Sequence, residues 1–315
     1  MSDSGRVLAL SGGVGGAKLA LGLYRILPPE TLTVVANTGD DFEHLRLSIS
    51  PDLDTLLYTL SGQANPELGW GRRDETWIFM AALERLGGET WFRLGDGDLA
   101  THIERTRRLA AGERLSSVID DFRRRLGIAA RLLPMSDDPV RTRLDTDRGW
   151  LDFQEYFVRL QCAPKVKRLE FAGSKAAGPH PDFLALLTEP HLQAVVICPS
   201  NPFISIDPIL SLPGVRPALQ NCQAPVVAVS PIIGGQAVKG PTAKMMLELG
   251  LPVDAAAVAR HYADVIDIYI ADNKDRELLG DCGVSTVWTQ TLMVTLEDRD
   301  ALARVALDAA ARVRR

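Results

Sequence analysis

The 315-residue sequence predicts an α/β fold: a Rossmann-like, mostly parallel sheet flanked by helices, with an inserted helical subdomain and a β-hairpin. Three observations lead to this prediction. Apolar runs of strand length alternate with helical segments at both ends of the chain, and the run at 194–198 (Ala-Val-Val-Ile-Cys) is apolar throughout, as a strand buried on both faces must be. In addition, a glycine-rich turn joins the first strand to the first helix.

That turn, Gly-Gly-Val-Gly-Gly at 12–16, follows an apolar strand at 6–11 and precedes a helix expected over 17–26. Glycine lets the backbone approach a ligand closely, and a helix start offers unpaired N–H groups to an anion such as a phosphate. A turn needed only for strand–helix packing is the alternative. The spacing fits neither the dinucleotide fingerprint, which needs glycine where Lys18 stands, nor a Walker loop.

The second strand is expected at 31–36 and ends in the polar tip Asn-Thr-Gly-Asp-Asp at 37–41. A right-handed βαβ unit results. After it, Ser-Pro-Asp-Leu-Asp-Thr at 50–55 predicts a helix start, because Ser50 can cap free N–H groups and Pro51 at the first helical position gives up none that is needed.

Asp52 and Asp54 then fall in the first turn of this helix. They either complement the helix dipole, contributing about 0.3–1 kcal/mol, or join Asp40 and Asp41 as oxygen ligands of a hard cation. The residues alone leave both interpretations open.

Helical patterns fill the chain from there to about residue 126, at 75–86, 99–111 and 116–126. We expect residues 55–126 to form an insertion into a nucleotide-binding core made of 1–54 and 127–315. Within it, the Trp91 to Asp98 stretch is either a turn with Asp98 as helix cap or a wall for a flat, polar ligand.

The remaining pattern returns to α/β order. A strand at 128–133 precedes a hairpin formed by 141–145 and 150–159, and further strands are expected at 165–171, 225–229, 267–271 and 285–288, before a final helix at 298–314. Four strand ends carry Gly, Ser, Asn or Asp. Because open α/β sheets bind ligands beyond the carboxyl ends of their strands, one crevice is expected to hold all four.

Composition narrows the function classes. A net charge of −5 disfavours a general nucleic-acid binder, and the four cysteines lie far apart without a CxxC pair, which indicates neither a zinc site nor a disulfide framework. No apolar run approaches the roughly 20 residues that span a bilayer, so we expect a cytoplasmic protein without a membrane partner.

Together the motifs resemble the bacterial type of the 2-phospho-L-lactate transferase family of coenzyme F420 biosynthesis. The matching segments lie in order along the chain at 12–19, 50–55, 70–77, 94–102, 133–140, 199–210 and 230–235. The resemblance implies transfer of a phospho-acyl-acid unit from a GDP-linked donor to the ribityl hydroxyl of the deazaflavin Fo, with release of GMP. Mg²⁺ is the implied cofactor and a homodimer the implied assembly.

The resemblance also implies roles for individual residues. It assigns the donor phosphates to two loops, the first with Gly12, Gly13, Gly15 and Gly16 and the second with Ser230 and Gly234. It assigns the guanosine to Ser200 and Asn201. Asp54 and Arg93 correspond to positions associated with Fo, which places the acceptor site at the helical insertion. Lys18 is expected to assist phosphoryl transfer, and Asp54 to act as base or as a metal ligand together with Asp52 and Asp41.

Two alternatives stand beside this interpretation. A nucleotide-sugar-binding regulator of the gluconeogenesis-factor type shares such a glycine loop but has no need of an acceptor site. An NAD-dependent oxidoreductase is disfavoured by the missing third glycine. The glycine loop also differs from the archaeal form, Gly-Thr-Gly-Thr-Pro-Lys-Leu, which leaves the donor's acid open among lactate, enolpyruvate and glycerate.

Overall fold

The structure is a computed structural model that describes residues 5–66, 70–237, 240–277, 280 and 282–313. Its strands are β1 (Arg6–Ser11), β2 (Leu32–Ala36), β3 (Phe42–His44), β4 (Leu47–Ile49), β5 (Arg131–Pro134), β6 (Arg141–Thr146), β7 (Gly149–Asp152), β8 (Val166–Ala172), β9 (Leu192–Ile197), β10 (Val226–Val229), β11 (Ile232–Ile233), β12 (Gln236–Ala237), β13 (Ile268–Asp272) and β14 (Ser285–Thr289).

The helices are α1 (Gly13–Ile26), α2 (Pro51–Leu60), α3 (Ile78–Arg85), α4 (Asp96–Ala110), α5 (Leu115–Arg125), α6 (Pro181–Leu187), α7 (Asp207–Leu210), α8 (Val215–Gln220), α9 (Thr242–Glu248), α10 (Ala255–Tyr262) and α11 (Leu296–Ala311). Short helical turns occur at Pro29–Thr31, Glu155–Arg159, Pro202–Ile206 and Asn273–Asp275. No helix in these described ranges is long and apolar enough to cross a membrane.

Seven strands form one sheet in the order β14-β13-β10-β9-β1-β2-β5, and every neighbouring pair is parallel. The α/β prediction is confirmed. The central strands are buried on both faces, which explains why their sequences are largely apolar rather than alternating. One face packs under α1, α2, α5 and α11, and the other under α6, α8, α9 and α10.

The segment between β2 and β5 contains the small hairpin β3–β4 and then α2 to α5. The predicted helices at 75–86, 99–111 and 116–126 are therefore present, with bounds shifted by a few residues. α2 begins at Pro51 and shares an apolar layer with α1 through Leu53 and Leu57. The division into a core and an insertion at residues 54 and 55 stays a prediction.

The expected hairpin is confirmed by β6 and β7, which pair with β8 in a three-stranded antiparallel sheet. The prediction that its second strand runs to residue 159 is wrong. β7 ends at Asp152, and the helical turn Glu155–Arg159 follows. Helical spacing lets the rings of Phe153 and Phe157 stack at 5.3 Å while Tyr156 is buried in the core, a placement that strand alternation cannot give.

Candidate functional site

The carboxyl ends of β1, β2 and β9 meet in one place, as the sequence predicts for the edge of a parallel sheet. Gly12 N, after β1, donates to Ser200 Oγ at 3.1 Å, and that hydroxyl donates to the carbonyl of Gly12 at 2.7 Å. Asn37, after β2, donates to the carbonyl of Ile204 at 3.2 Å. The three strand ends are therefore joined by direct hydrogen bonds.

Close packing accounts for three of the four glycines in the first loop. A Cβ on Gly15 would lie 2.4 Å from the carbonyl oxygen of Pro199, and one on Gly16 would lie 2.4 Å from Ser11 Oγ. A Cβ on Gly12 would meet Ser205 Cβ at 2.6 Å. Gly13 differs: its φ is +64° and the space beside it is open. Helix α1 begins there, four residues earlier than predicted.

Asp52 lies against this loop. Gly13 N donates to Asp52 Oδ1 at 2.6 Å, and Asn37 Nδ2 donates to Asp52 Oδ2 at 2.9 Å. The carboxylate is 5% exposed, and burial raises its pKa to about 6 against the opposing effect of these hydrogen bonds. Both oxygens of this predicted metal ligand therefore accept hydrogen bonds from the protein itself.

The helix start at 50–55 differs in one respect from the prediction. Pro51 occupies the first helical position, as expected, but the prediction that the Ser50 side chain caps the helix is wrong. Its hydroxyl donates instead to Asp41 Oδ2 at 2.8 Å, because a buried carboxylate is a strong acceptor that needs donors. The serine thus connects α2 to the end of β2.

Asp40 and Asp41 are the unsatisfied acids of the site. Each is 7% exposed, and Oδ1 of each is buried without a hydrogen-bond partner. Burial raises the pKa of Asp41 to about 7, although the charge of Arg141 and the Ser50 hydroxyl oppose the rise. Burial, reinforced by the charge of Asp52, also raises the pKa of Asp40 well above its usual value. A hard cation would relieve both carboxylates, so these residues fit one.

The described residues do not, however, gather three His, Cys, Asp or Glu side chains closely enough for a ready-made metal site. Asp41, Asp52 and Asp54 are accordingly not brought together as one ligand set. The metal stays a prediction, and Asp40 and Asp41 are the pair with unpartnered oxygens.

Asp54 forms an ion pair with Arg105, a residue that the sequence analysis did not identify. The carboxylate is 5% exposed and the guanidinium fully buried, and both carboxylate oxygens accept from it, one of them from Nη1 at 3.1 Å. Arg105 Nη1 also donates to the carbonyl of Ser48 at 3.2 Å. Burial alone would lower the pKa of Arg105, but the Asp54 charge and hydrogen bonds raise it.

This pair continues into a polar chain along α4. His102 Nδ1 lies 3.7 Å from Asp54 Oδ2, and its Nε2 lies 3.1 Å from Asp98 Oδ2. The Tyr58 hydroxyl donates to Asp98 Oδ1 at 2.5 Å. Of the two interpretations of the 91–98 stretch, the one with Asp98 as helix cap is wrong, because α4 begins at Asp96 and Asp98 lies inside the first turn. Asp98, His102 and Arg105 are spaced by four and three residues, a helical-face signal that was present in the sequence.

Aromatic side chains line a small cleft beside this chain. Its walls include Trp70, Arg72, Glu75, Trp77 and Asp98. Arg93, which the resemblance assigns to the acceptor, stacks its guanidinium 4.2 Å from the centroid of the Trp77 ring. Because Asp98 belongs to both the cleft and the polar chain, the cleft is connected to Asp54.

The comparisons with known proteins bear on this crevice. The family model described as 2-phospho-L-lactate transferase CofD matches residues 7–288. The chain belongs to this family. A phosphoenolpyruvate transferase of Kitasatospora aureofaciens is 41% identical over 98% of the chain and 99% of that relative. A 2-phospho-L-lactate transferase of Methanosarcina mazei is 39% identical over 96% of the chain and 100% of that relative.

Solved structures support the fold of this family member. Two crystal structures of a Bacillus halodurans protein of the UPF0052 family match with TM-scores of 0.66 and 0.63. They are 17% and 16% identical and cover 96% of the chain and 99% of the matched chain. At this identity the likeness concerns the fold alone.

The fourth predicted strand end of this CofD family member is held by a residue that the sequence reasoning missed. Gly234 N and Gly235 N donate to Asp275 Oδ2 and Oδ1 at 3.0 and 2.8 Å. Ser230 Oγ accepts from the N–H of Ile232 at 3.1 Å and is buried. Asp275 follows β13, so the loop predicted to hold donor phosphates is tied to a fifth strand end.

Two further predicted residues have defined partners. Lys18 Nζ donates to the carbonyl of Met293 at 2.9 Å, in the segment between β14 and α11. Asn201 Oδ1 accepts from Phe203 N at 2.9 Å and caps the short helical turn Pro202–Ile206. Their roles in phosphoryl transfer and in guanosine binding stay predictions.

Proposed function

We propose that this protein transfers a phospho-acyl-acid unit from a GDP-linked donor to the terminal ribityl hydroxyl of Fo, releasing GMP, in coenzyme F420 biosynthesis. The family match over residues 7–288 carries the proposal. The crevice adds chemical support, since it combines a helix N-terminus, buried carboxylates with unpartnered oxygens and an aromatic cleft. These are the parts that a phosphorylated donor and a flat acceptor require.

In the proposed reaction, the Fo hydroxyl oxygen bonds to the distal phosphorus of the donor. The bond from that phosphorus to the bridging oxygen breaks, and GMP leaves with the bonding electrons. The hydroxyl proton passes to a base. Most of the catalysis then comes from alignment and from stabilising charge on the phosphate oxygens, as for phosphoryl transfer in general.

We propose Asp54 as the residue that meets the acceptor hydroxyl. The Arg105 guanidinium holds both of its oxygens, and this bidentate contact fixes the direction of the carboxylate. Asp98 connects the same chain of side chains to the aromatic cleft beside Arg93. The proposal thus directs the ribityl chain toward Asp54 and the deazaflavin ring toward the aromatic walls of the cleft, whose volume of about 10 Å³ requires these walls to separate before the ring can enter.

Mg²⁺ is the proposed cofactor, and when bound it would neutralise phosphate oxygens of the donor. Asp40 and Asp41 are the residues that fit it, because each has a buried carboxylate oxygen without a partner. Asp52 and Asp54 of the predicted set already accept hydrogen bonds. The proposed homodimer and cytoplasmic location rest on the sequence reasoning alone.

Turnover with defined donors tests the proposal. Purified protein is mixed with Fo, Mg²⁺ and the lactyl, enolpyruvyl or glyceryl form of the GDP-linked donor, and GMP and the phosphodiester are measured by liquid chromatography and mass spectrometry. We expect one donor to give both products in equal amounts. If none does, the transferase proposal fails, and tight nucleotide-sugar binding without turnover would support the regulator instead.

The same experiment identifies the acid. The relatives' names divide between phosphoenolpyruvate and 2-phospho-L-lactate, at 41% and 39% identity. These identities are too close to distinguish an enolpyruvyl donor from a lactyl donor. The kcat/KM values measured with the lactyl, enolpyruvyl and glyceryl donors identify the preferred acid.

A further inference from the structure

One buried pair of side chains joins the three strand ends that form the crevice. Asn37 Nδ2 donates both to Asp52 Oδ2 at 2.9 Å and to the carbonyl of Ile204 at 3.2 Å, while Asn37 Oδ1 accepts from Gly39 N at 2.7 Å. Asp52 Oδ1 accepts from Gly13 N at 2.6 Å. Through these two side chains the ends of β1, β2 and β9 and the start of α2 are connected.

The pair is buried and its polar atoms are satisfied. Asn37 is 0% and Asp52 5% exposed, and each of their side-chain oxygens accepts at least one hydrogen bond. Asp40 and Asp41 are equally buried, but each keeps one oxygen without a partner. A cation therefore gains more at Asp40 and Asp41 than at Asp52, whose charge is already compensated by N–H donors.

The Asp52 carboxylate also packs directly against the glycine loop at 12–16. A Cβ on Gly12 would lie 2.8 Å from Asp52 Oδ2, so the carboxylate fills the space beside this residue. At the start of α1 it takes one of the N–H groups that a helix N-terminus leaves unpaired. The N–H groups of Val14 and Gly15 follow in the same first turn, where helix geometry provides no intrahelical acceptor.

We propose that Asp52 is a positioning residue, which together with Asn37 holds the glycine loop and the 199–205 segment in the arrangement that binds the donor's phosphates, and that it is not a ligand of the cation. This inference rests on the proposed function. It reassigns one of the three carboxylates that the sequence suggests for metal binding.

A reciprocal exchange of the two residues tests it. Asp52→Asn alone places two amides face to face, and Asn37→Asp alone places two carboxylates face to face. In the double variant, the new amide at position 52 accepts from Gly13 N and donates to the new carboxylate at position 37, while the hydrogen bond from position 37 to the carbonyl of Ile204 is lost. The double variant has the wild-type composition and net charge, so it is a matched control for both single variants.

Binding of GDP in the presence of Mg²⁺ is measured by calorimetry, and thermal unfolding is measured without ligand. We expect each single variant to bind GDP at least about tenfold more weakly, as expected for loss of a charge-assisted hydrogen bond. The double variant should bind GDP at least about threefold more tightly than either single variant, since the hydrogen bond between positions 37 and 52 is restored and only the one to the carbonyl of Ile204 stays missing. The donor KM should follow the same order, with kcat changed less.

Three results would overturn the inference. If the double variant stays as weak as Asp52→Asn and requires more Mg²⁺ for turnover, Asp52 is a ligand. If GDP affinity is unchanged in all variants while unfolding temperatures fall, the pair is merely structural. If the double variant unfolds no later than the single ones, the two side chains are not coupled. Failure of wild type to bind GDP or turn over would instead refute the proposed function, and the unfolding cycle would still test the pair.

Discussion

Replacing Arg105 by methionine should destabilise the protein strongly. The guanidinium is fully buried and meets Asp54 bidentately, while Nη1 also donates to the carbonyl of Ser48. Methionine keeps the unbranched stem of the side chain as far as the position of Nε, but it leaves the Asp54 carboxylate buried without its counter-charge. Part of the loss comes from the space that the guanidinium leaves, and comparison with a variant that lacks both charges separates the ion pair from this packing effect.

The size of the effect follows from burial. Removing one partner of a buried ion pair costs about 3–5 kcal/mol, because the other charge stays desolvated. That is a large part of the total stability of about 5–15 kcal/mol expected for a folded domain. Combining Arg105→Met with Asp54→Asn removes both charges, so the double variant should be more stable than Arg105→Met alone.

Urea unfolding followed by circular dichroism measures these differences. Arg107→Met is the matched control on the same helix, because Arg107 is 65% exposed and pairs with Glu104 at the surface, and it should unfold close to wild type. A loss for Arg105→Met no larger than that of the control, or a double variant less stable than the single one, would refute the reasoning.

Three further predictions concern the loops and the pH dependence. Gly15→Ala places a Cβ 2.4 Å from a backbone oxygen and should lower the free energy of unfolding in urea by about 1–3 kcal/mol. In the control Gly178→Ala the nearest atom to the new Cβ is 3.8 Å away, so this variant should be neutral. Equal effects of the two substitutions would contradict the packing argument. Asp275→Asn offers one acceptor oxygen to the N–H groups of Gly234 and Gly235 instead of two, and should lower the free energy of unfolding by about 1–3 kcal/mol. It should also weaken GDP binding in calorimetry, and unchanged binding would show that this loop does not contact the donor. Burial lowers the pKa of His44 below 6.5 in the folded state, so the stability contributed by His44 falls as the pH drops below about 6.5, whereas the raised pKa values of Asp41 and Asp52 act in the opposite direction. His44→Phe should therefore gain stability relative to wild type between pH 7 and pH 5 in urea unfolding, and a difference that does not change with pH would exclude titration of His44 as its source.

The sequence predicted the central sheet because a strand that is buried on both faces needs apolar residues at nearly every position. β9 and β10 are apolar at nearly every position, and this pattern was recognised with bounds close to those observed. The turn after β7 was missed because Phe153, Tyr156 and Phe157 suit a strand by propensity. Only their packing against the core shows that they are helically spaced.

The partners of the candidate residues were less accessible to sequence reasoning. Asp52 and Asp54 are two residues apart and read as equivalent first-turn carboxylates, yet one accepts from Gly13 N and Asn37, and the other pairs with Arg105. Arg105 is 51 residues from Asp54, and Asp275 is 41 from Gly234. No local pattern encodes such pairs.

The sequence by itself therefore determined which strands end in polar residues, the family and the types of side chain available to the crevice, because these depend on periodicity and short motifs. The tertiary structure decided which charges are compensated. Asp40 and Asp41 keep buried oxygens without partners, whereas Asp52 and Asp54 do not, and this division arises from donors that the fold brings in from other strands and helices. The energy of a carboxylate is set by its neighbours in space, and those neighbours are known only once the chain is folded.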